Sequence, residues 1–205
     1  MFDSSEFDSW AKSYDVEVFE SDKKGNFPFA GYQKLMQTLY GEIKKKATSR
    51  VLDVGIGTGI LSSLLYEKGH CIIGTDYSKE MLRIAGEKMP GAELVQWDFT
   101  ENVPDYLKNK KFDFIISTYA LHHLADDEKQ RLISELLALL DENGVLFIGD
   151  IGFANTEEMK NCKETFIDEW DDEFYFVMSE ISDRLDCLEK YQQISHCCVL
   201  LELRT

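Results

Sequence analysis

The stretch VLDVGIGTGILSSLL, Val51 to Leu65, passes from an apolar run through three glycines into a helical repeat. Val51, Leu52 and Val54 read as a buried strand, and Ile60, Leu61, Leu64 and Leu65 recur at the helical period. The glycines therefore occupy a strand-to-helix turn. There the chain bends tightly, the backbone approaches a ligand with no Cβ in the way, and the following helix presents its first amides. A structural turn without a ligand is the alternative reading.

The glycines fall at Gly55, Gly57 and Gly59, with Ile60 where a dinucleotide fingerprint would place its third glycine. Asp53, two residues before Gly55, would repel a pyrophosphate but attract an ammonium or orient the amides that hold one. A cationic, adenosine-bearing ligand suits this pattern, and S-adenosylmethionine has that mixture of charges. Asp53, Gly55 and Gly57 are its first candidate contacts.

Downstream, strand and helix patterns alternate, which implies a parallel sheet with helices on both faces. CIIGTD ends a second strand at Asp76, Ser78 reads as the N-cap of the next helix, and AELVQWD ends a third strand at Asp98. A short helix or loop around Val103 to Leu107 precedes the fourth strand, FDFIIST. A helix over Asp126 to Leu140 and a fifth strand, GVLFIGD, follow it. YQQIS and CCVLLEL are joined too tightly for a crossover helix and read as two antiparallel strands.

Ligands in open α/β sheets bind at the carboxyl ends of strands, where Asp53, Asp76, Asp98 and Asp150 fall. Asp76 follows Gly59 at the interval expected of a ribose-binding acid, and Asp98 would reach the adenine 6-amino group. The alternatives for both are capping or turn aspartates.

Composition narrows the partners. The 205 residues, 44% of them apolar, suit one domain, and 22 Lys and Arg against 38 Asp and Glu give a net charge of −16. Such a surface repels nucleic acid over most of its extent, so a small-molecule substrate is favoured; Lys44 to Lys46 is the best basic patch and reads as a solvated helix end. Five cysteines without metal-ligand spacing read as reduced thiols, and no metal is expected. No signal peptide or membrane-spanning run is seen, which predicts a cytoplasmic, soluble monomer or homodimer.

These motifs together resemble class I S-adenosylmethionine-dependent methyltransferases. LDVGIGTG resembles the family's first motif, GTDYS its ribose-binding second, QWDF its adenine-contacting third, and FDFIISTYALHHL its fourth strand and active-site edge. FDSWAKSYD and STYALHHL are similar to the YrrT-type methyltransferases of Gram-positive bacteria. The resemblance implies a Rossmann-like seven-stranded sheet of order 3-2-1-4-5-7-6, with strand seven antiparallel. It also implies that Gly55, Asp76 and Asp98 contact the cofactor.

Methyl transfer is an in-line displacement in which alignment and exclusion of water do much of the work, with a base needed only if the attacking atom must lose a proton. Tyr119, His122 and His123 follow the fourth strand, where acceptor and methyl group meet in the family. Either histidine is a candidate base, His122 foremost, with Tyr119 and His123 as acceptor contacts. A structural hydrogen-bonding role for the histidines is the alternative.

The aromatics Phe166, Trp170, Phe174, Tyr175 and Phe176 either wall an acceptor pocket or pack on the sheet. Phe7, Trp10, Ala11, Tyr14 and Val18 follow a helical period and predict a lid that brings Tyr14 to the transfer site, followed by a loop from Glu20 to Gly31 that is mobile when the site is empty; a helix permanently docked on the sheet is the alternative. The chain thus divides into a helical lid (1–47), a cofactor half (48–150), an acceptor-side insertion (151–187) and C-terminal antiparallel strands (188–205). A cofactor-binding sensor that transfers no methyl group is the alternative from another class, and a NAD-dependent oxidoreductase is disfavoured by Ile60 and Asp53.

Overall fold

The computed structural model describes residues 13–205. The predicted apolar stripe at Phe7, Trp10 and Ala11 lies outside the described residues. Two helices come first, α1 (Tyr14–Lys24) and α2 (Tyr32–Ile43). The alternating part is β1 (Arg50–Val54), α3 (Ile60–Glu67), β2 (Cys71–Asp76), α4 (Lys79–Lys88) and β3 (Glu93–Gln96). It continues with α5 (Asp105–Lys108), β4 (Phe112–Thr118), α6 (Asp126–Leu137) and β5 (Leu140–Phe153). The remainder is α7 (Thr156–Thr165), β6 (Phe176–Val177), α8 (Met178–Ile181), β7 (Leu188–Gln193) and β8 (Cys198–Leu203).

The strands lie in the order β3-β2-β1-β4-β5-β8-β7, and the two-residue β6 pairs with the end of β5. β1 to β5 run parallel, and β8 is antiparallel to both β5 and β7. This is the expected 3-2-1-4-5-7-6 sheet, with β6 shifting the last two numbers by one. Successive strand side chains face opposite ways. Val51, Ile116 and Phe147 accordingly enter one buried cluster while Leu52, Ile115, Leu146 and Ile148 enter another. Helices α2, α3 and α4 cover the first cluster, and α6 brings Leu132, Ile133 and Leu136 to the second.

Several boundaries differ from the sequence reading, and β3 stops at Gln96, two residues short of Asp98. Helix α6 stops at Leu137, because Leu140 already pairs with Phe112 and begins a strand of 14 residues. β7 starts at Leu188, ahead of YQQIS, and its exposed edge has little alternation to mark it. The stretch from Glu20 to Gly31 is not a loop throughout. α1 continues to Lys24 and ends on left-handed Gly25 (φ 69°), and the Asp22 carboxylate then accepts the amides of Gly31 at 2.8 Å and Gln33 at 2.9 Å. Phe27 is buried and stacks on Trp170 at 4.9 Å, while Ser195 Oγ donates to the Ala30 carbonyl at 2.5 Å. The segment is thereby tied to both the insertion and the β7–β8 turn.

Candidate active site

The carboxyl end of β1 carries the glycine turn. The amides of Gly55 and Ile56 both donate to the Thr75 carbonyl at 2.9 Å, which draws the turn onto the end of β2. Gly55 has φ 74°, and a Cβ there would stand 2.6 Å from Ala120 Cβ, so backbone conformation and close approach both require glycine. Gly57 has φ 55° and nothing within 4 Å of an added Cβ. The turn borders a cleft lined also by Tyr14, Tyr32, Asp53, Thr58 and Thr118.

Asp53 is buried in this cleft. Ser62 Oγ donates to its Oδ2 at 2.6 Å, while Oδ1 has no hydrogen-bond partner among the described residues. Burial raises its pKa to about 7, against the lowering effect of the Ser62 bond and with a smaller push from Asp76. Asp76 shapes the turn: Oδ2 accepts the Gly57 amide at 2.8 Å and Oδ1 the Ser78 amide at 2.8 Å. Asp98 folds onto its own turn, where Oδ1 accepts the amide of Thr100 at 2.9 Å and its hydroxyl at 2.6 Å.

Helix α1 reaches the same cleft. Asp15 accepts the Thr58 hydroxyl at 2.5 Å and pairs with Lys88 at 3.1 Å, which fastens the helix to the glycine turn. Tyr14 lines the cleft, and burial, with Asp76, Asp15 and Asp150 contributing, pushes its phenol well above the ordinary value. The carboxylates of β2 and β5 therefore both act on Tyr14.

A second constellation lies at the ends of β4 and β5. Tyr119 holds a left-handed backbone, φ 50°, which is strained for a residue with a side chain. The bend lets the chain wrap Asp150. Asp150 Oδ2 accepts the amides of Leu121 at 2.8 Å and Ala120 at 3.3 Å, and Oδ1 accepts the Ile151 amide at 2.7 Å and lies 2.6 Å from His122 Nδ1. Burial alone would raise the pKa of Asp150, but His122 and these amides outweigh it and hold the carboxyl below its usual range. An ionised, fully buried carboxylate thus fixes the Nδ1 side of His122.

His123 lies beside it, with ring centroids 4.1 Å apart and Nδ1 3.3 Å from Glu173 Oε1. Burial, then the charge of His122, lower its pKa to about 3, so His123 is neutral. The Tyr119 ring packs on Phe29 at 5.3 Å and Tyr32 at 5.5 Å, and burial together with the neighbouring Cys198 thiol keeps its hydroxyl protonated. Of the insertion aromatics, Trp170 and Tyr175 join Phe27 and Phe153 in one cluster, Phe176 is buried, Phe174 is half exposed, and Phe166 stacks on His196.

Sequence reasoning placed Asp150 among the strand-end acids without pairing it to His122, and it passed over Asp15 and Lys129. Only the acid in "SYD", beside the aromatic stripe, hinted at Asp15. Among the described residues no group of three or more His, Cys, Asp or Glu side chains is arranged to hold a metal ion, and no helix is long and apolar enough to cross a membrane.

The pattern of a methyltransferase domain matches residues 51–144. An uncharacterized methyltransferase of Alkaliphilus oremlandii is 33% identical over 185 residues, covering 86% of this chain and 84% of the relative. The chain belongs to the class I S-adenosylmethionine-dependent methyltransferases. Another relative, an uncharacterized methyltransferase of Anoxybacillus flavithermus, is 36% identical over 151 residues, 74% of this chain and 68% of the relative.

Solved structures share the methyltransferase's fold. The DhpI complex with SAH superposes with a TM-score of 0.67 at 18% identity, covering 98% of this chain and 94% of that one. Magnesium protoporphyrin IX methyltransferase from Synechocystis with bound SAH gives 0.69 at 17% identity, covering 99% and 100%. As a member of its family the methyltransferase is an enzyme whose methyl donor is S-adenosylmethionine, and of the sequence's functional readings methyl transfer is the one that stands. The cleft suits that donor: among the described residues one buried oxygen of Asp53 lacks a hydrogen-bond partner, and nothing lies within 4 Å of a Cβ added at Gly57.

Proposed function

We propose that the methyltransferase acts on a small-molecule acceptor from which His122, oriented by Asp150, removes a proton. The observation that carries this reading is the 2.6 Å contact between His122 Nδ1 and the ionised, fully buried Asp150. A carboxylate on Nδ1 selects the tautomer with its proton there and leaves Nε2 to accept one, and it stabilises the imidazolium that forms. The net charge of −16 supports a small acceptor over a polyanion.

In this reading Asp53, Gly55, Gly57, Asp76 and Asp98 hold the cofactor. Asp53 offers to the ammonium group the Oδ1 that has no partner among the described residues, and Asp76 both keeps the glycine turn in shape and meets the ribose. When bound, S-adenosylmethionine supplies a methyl group on a sulfonium. Tyr14 and Tyr32 keep water from the cleft, and His123 and Tyr119, on the β4 edge, border the acceptor.

Methyl-labelled cofactor incubated with pools of thiols, amines, phenols and carboxylates, and in parallel with nucleic acid and protein pools, tests the assignment. A labelled small product is expected. Label confined to nucleic acid or protein pools would overturn the acceptor class.

A further inference from the structure

Lys129 sits on α6, which otherwise covers the sheet with Leu132, Ile133 and Leu136, yet its side chain is only 5% exposed. Lysine is rarely buried to this degree unless paired. Asp126 stands 3.5 Å away with a half-exposed side chain, and the rings of Phe176 and Phe174 lie 5.0 Å and 5.8 Å from the ammonium. Burial pushes the Lys129 pKa down, against the opposing effect of Asp126 and Asp150. An apolar residue of similar length would fill this space at lower cost. What it would lack is the hydrogen bond that Lys129 Nζ donates to the Phe174 carbonyl.

That bond is one of a pair. The Phe174 amide donates to the His122 carbonyl at 2.9 Å, so both backbone groups of residue 174 are fixed, one on the histidine turn and one on α6. The neighbours of Phe174 are fastened as well. Glu173 lies against His123, Tyr175 packs on Trp170 at 4.9 Å, and Phe176 pairs with Gly152 of β5. The strip 173–176 consequently forms a wall beside His122 whose outer anchor is Lys129.

We infer that Lys129 is a positioning residue for methyl transfer, holding the strip 173–176 against the His122 turn so that the acceptor-side wall and the imidazole keep a fixed relation. The inference rests on the reading of His122 as the base. Lys129 does not line the cleft of the glycine turn, and it acts through the Phe174 backbone.

Lys129→Met, Lys129→Arg and His122→Gln form the test, with S-adenosylhomocysteine as the binding probe and the acceptor from the label screen as substrate. In Lys129→Met the Phe174 amide is expected to exchange about tenfold faster, while the Leu52 and Ile115 amides in the sheet keep their rates. Its kcat should fall by about tenfold with probe affinity unchanged within about twofold, and Lys129→Arg should recover part of both effects. An unchanged Phe174 amide would overturn the inference, as would a loss of probe affinity in step with kcat. Should Lys129→Met fail to fold, Lys129→Arg decides alone: a folded arginine variant as slow as His122→Gln contradicts the positioning role. Full activity in His122→Gln, by contrast, would remove the base and leave the exchange result on Lys129 standing.

Discussion

Ser62 donates its hydroxyl to one oxygen of Asp53 at 2.6 Å and leaves the other oxygen in the cleft without a partner among the described residues. The single bond does not offset burial, so the folded pKa of Asp53 rises from 3.8 to about 7. The folded state therefore binds this proton more tightly than the unfolded chain does. The resulting stability is fully present below about pH 3.8 and is lost as pH rises toward 7. Asp53→Asn should erase that dependence. Its stability relative to the parent should grow across the interval by at most about 4 kcal/mol in chemical unfolding of the ligand-free protein. A difference that stays flat with pH would mean that Asp53 is not the buried acid described here.

Asp76 holds the amides of Gly57 and Ser78 at 2.8 Å each, so its loss should disturb the glycine turn and the start of α4 together. Asp76→Ala is expected to weaken S-adenosylhomocysteine binding by about 1–3 kcal/mol in calorimetry. In the parent protein S-adenosylmethionine and S-adenosylhomocysteine should raise Tm while NAD does not. Unaltered affinity in the variant would return Asp76 to a turn-forming role alone.

Helix α1 meets the glycine turn through Asp15, whose carboxylate takes both the Thr58 hydroxyl and Lys88. Asp22, at the end of α1, bridges across Gly25 to the amides of Gly31 and Gln33, and Phe27 and Ala30 are held by Trp170 and Ser195, so loosening of α1 would start from its Asp15 end. Asp15→Ala should hasten tryptic cutting at the exposed Lys23 and Lys24, and S-adenosylhomocysteine should slow cutting in the parent more than in the variant. Equal cleavage in all four conditions would describe a helix that is permanently docked.

The cofactor half was readable because local rules and global fold agree there. Buried parallel strands are continuous apolar runs, the turn needs φ values that favour glycine, and acids recur near the carboxyl ends of β1, β2, β3 and β5. Asp53 and Asp76 stood out for that reason, and the stripe ending at Tyr14 and Val18 pointed α1 toward the cleft. The histidine site was half legible. His122 and Asp150 are 28 residues apart, and their contact depends on Thr118 lying opposite Gly149 and on the left-handed Tyr119. No spacing rule encodes either.

Lys129 was invisible for a related reason. In the run DDEKQR it looks like the solvated side of a helix, and only the descent of residues 173–176 over it makes it a buried donor. β6 has two residues and no period to detect, and the acidic, aromatic insertion gave no sign that Phe27 would stack on its Trp170.

The central claim is that His122, held by Asp150, takes the proton of the acceptor. The most direct measurement is single-turnover formation of S-adenosylhomocysteine by His122→Gln against the parent, with a saturating acceptor from the label screen and cofactor affinity measured in parallel. The account predicts a fall in rate on the order of 10²–10⁴ with cofactor affinity held within about twofold, and a comparable loss in Asp150→Asn, which disturbs the tautomer. Parental rates in His122→Gln across the pH range would contradict it and leave alignment by the cleft as the whole of the catalysis.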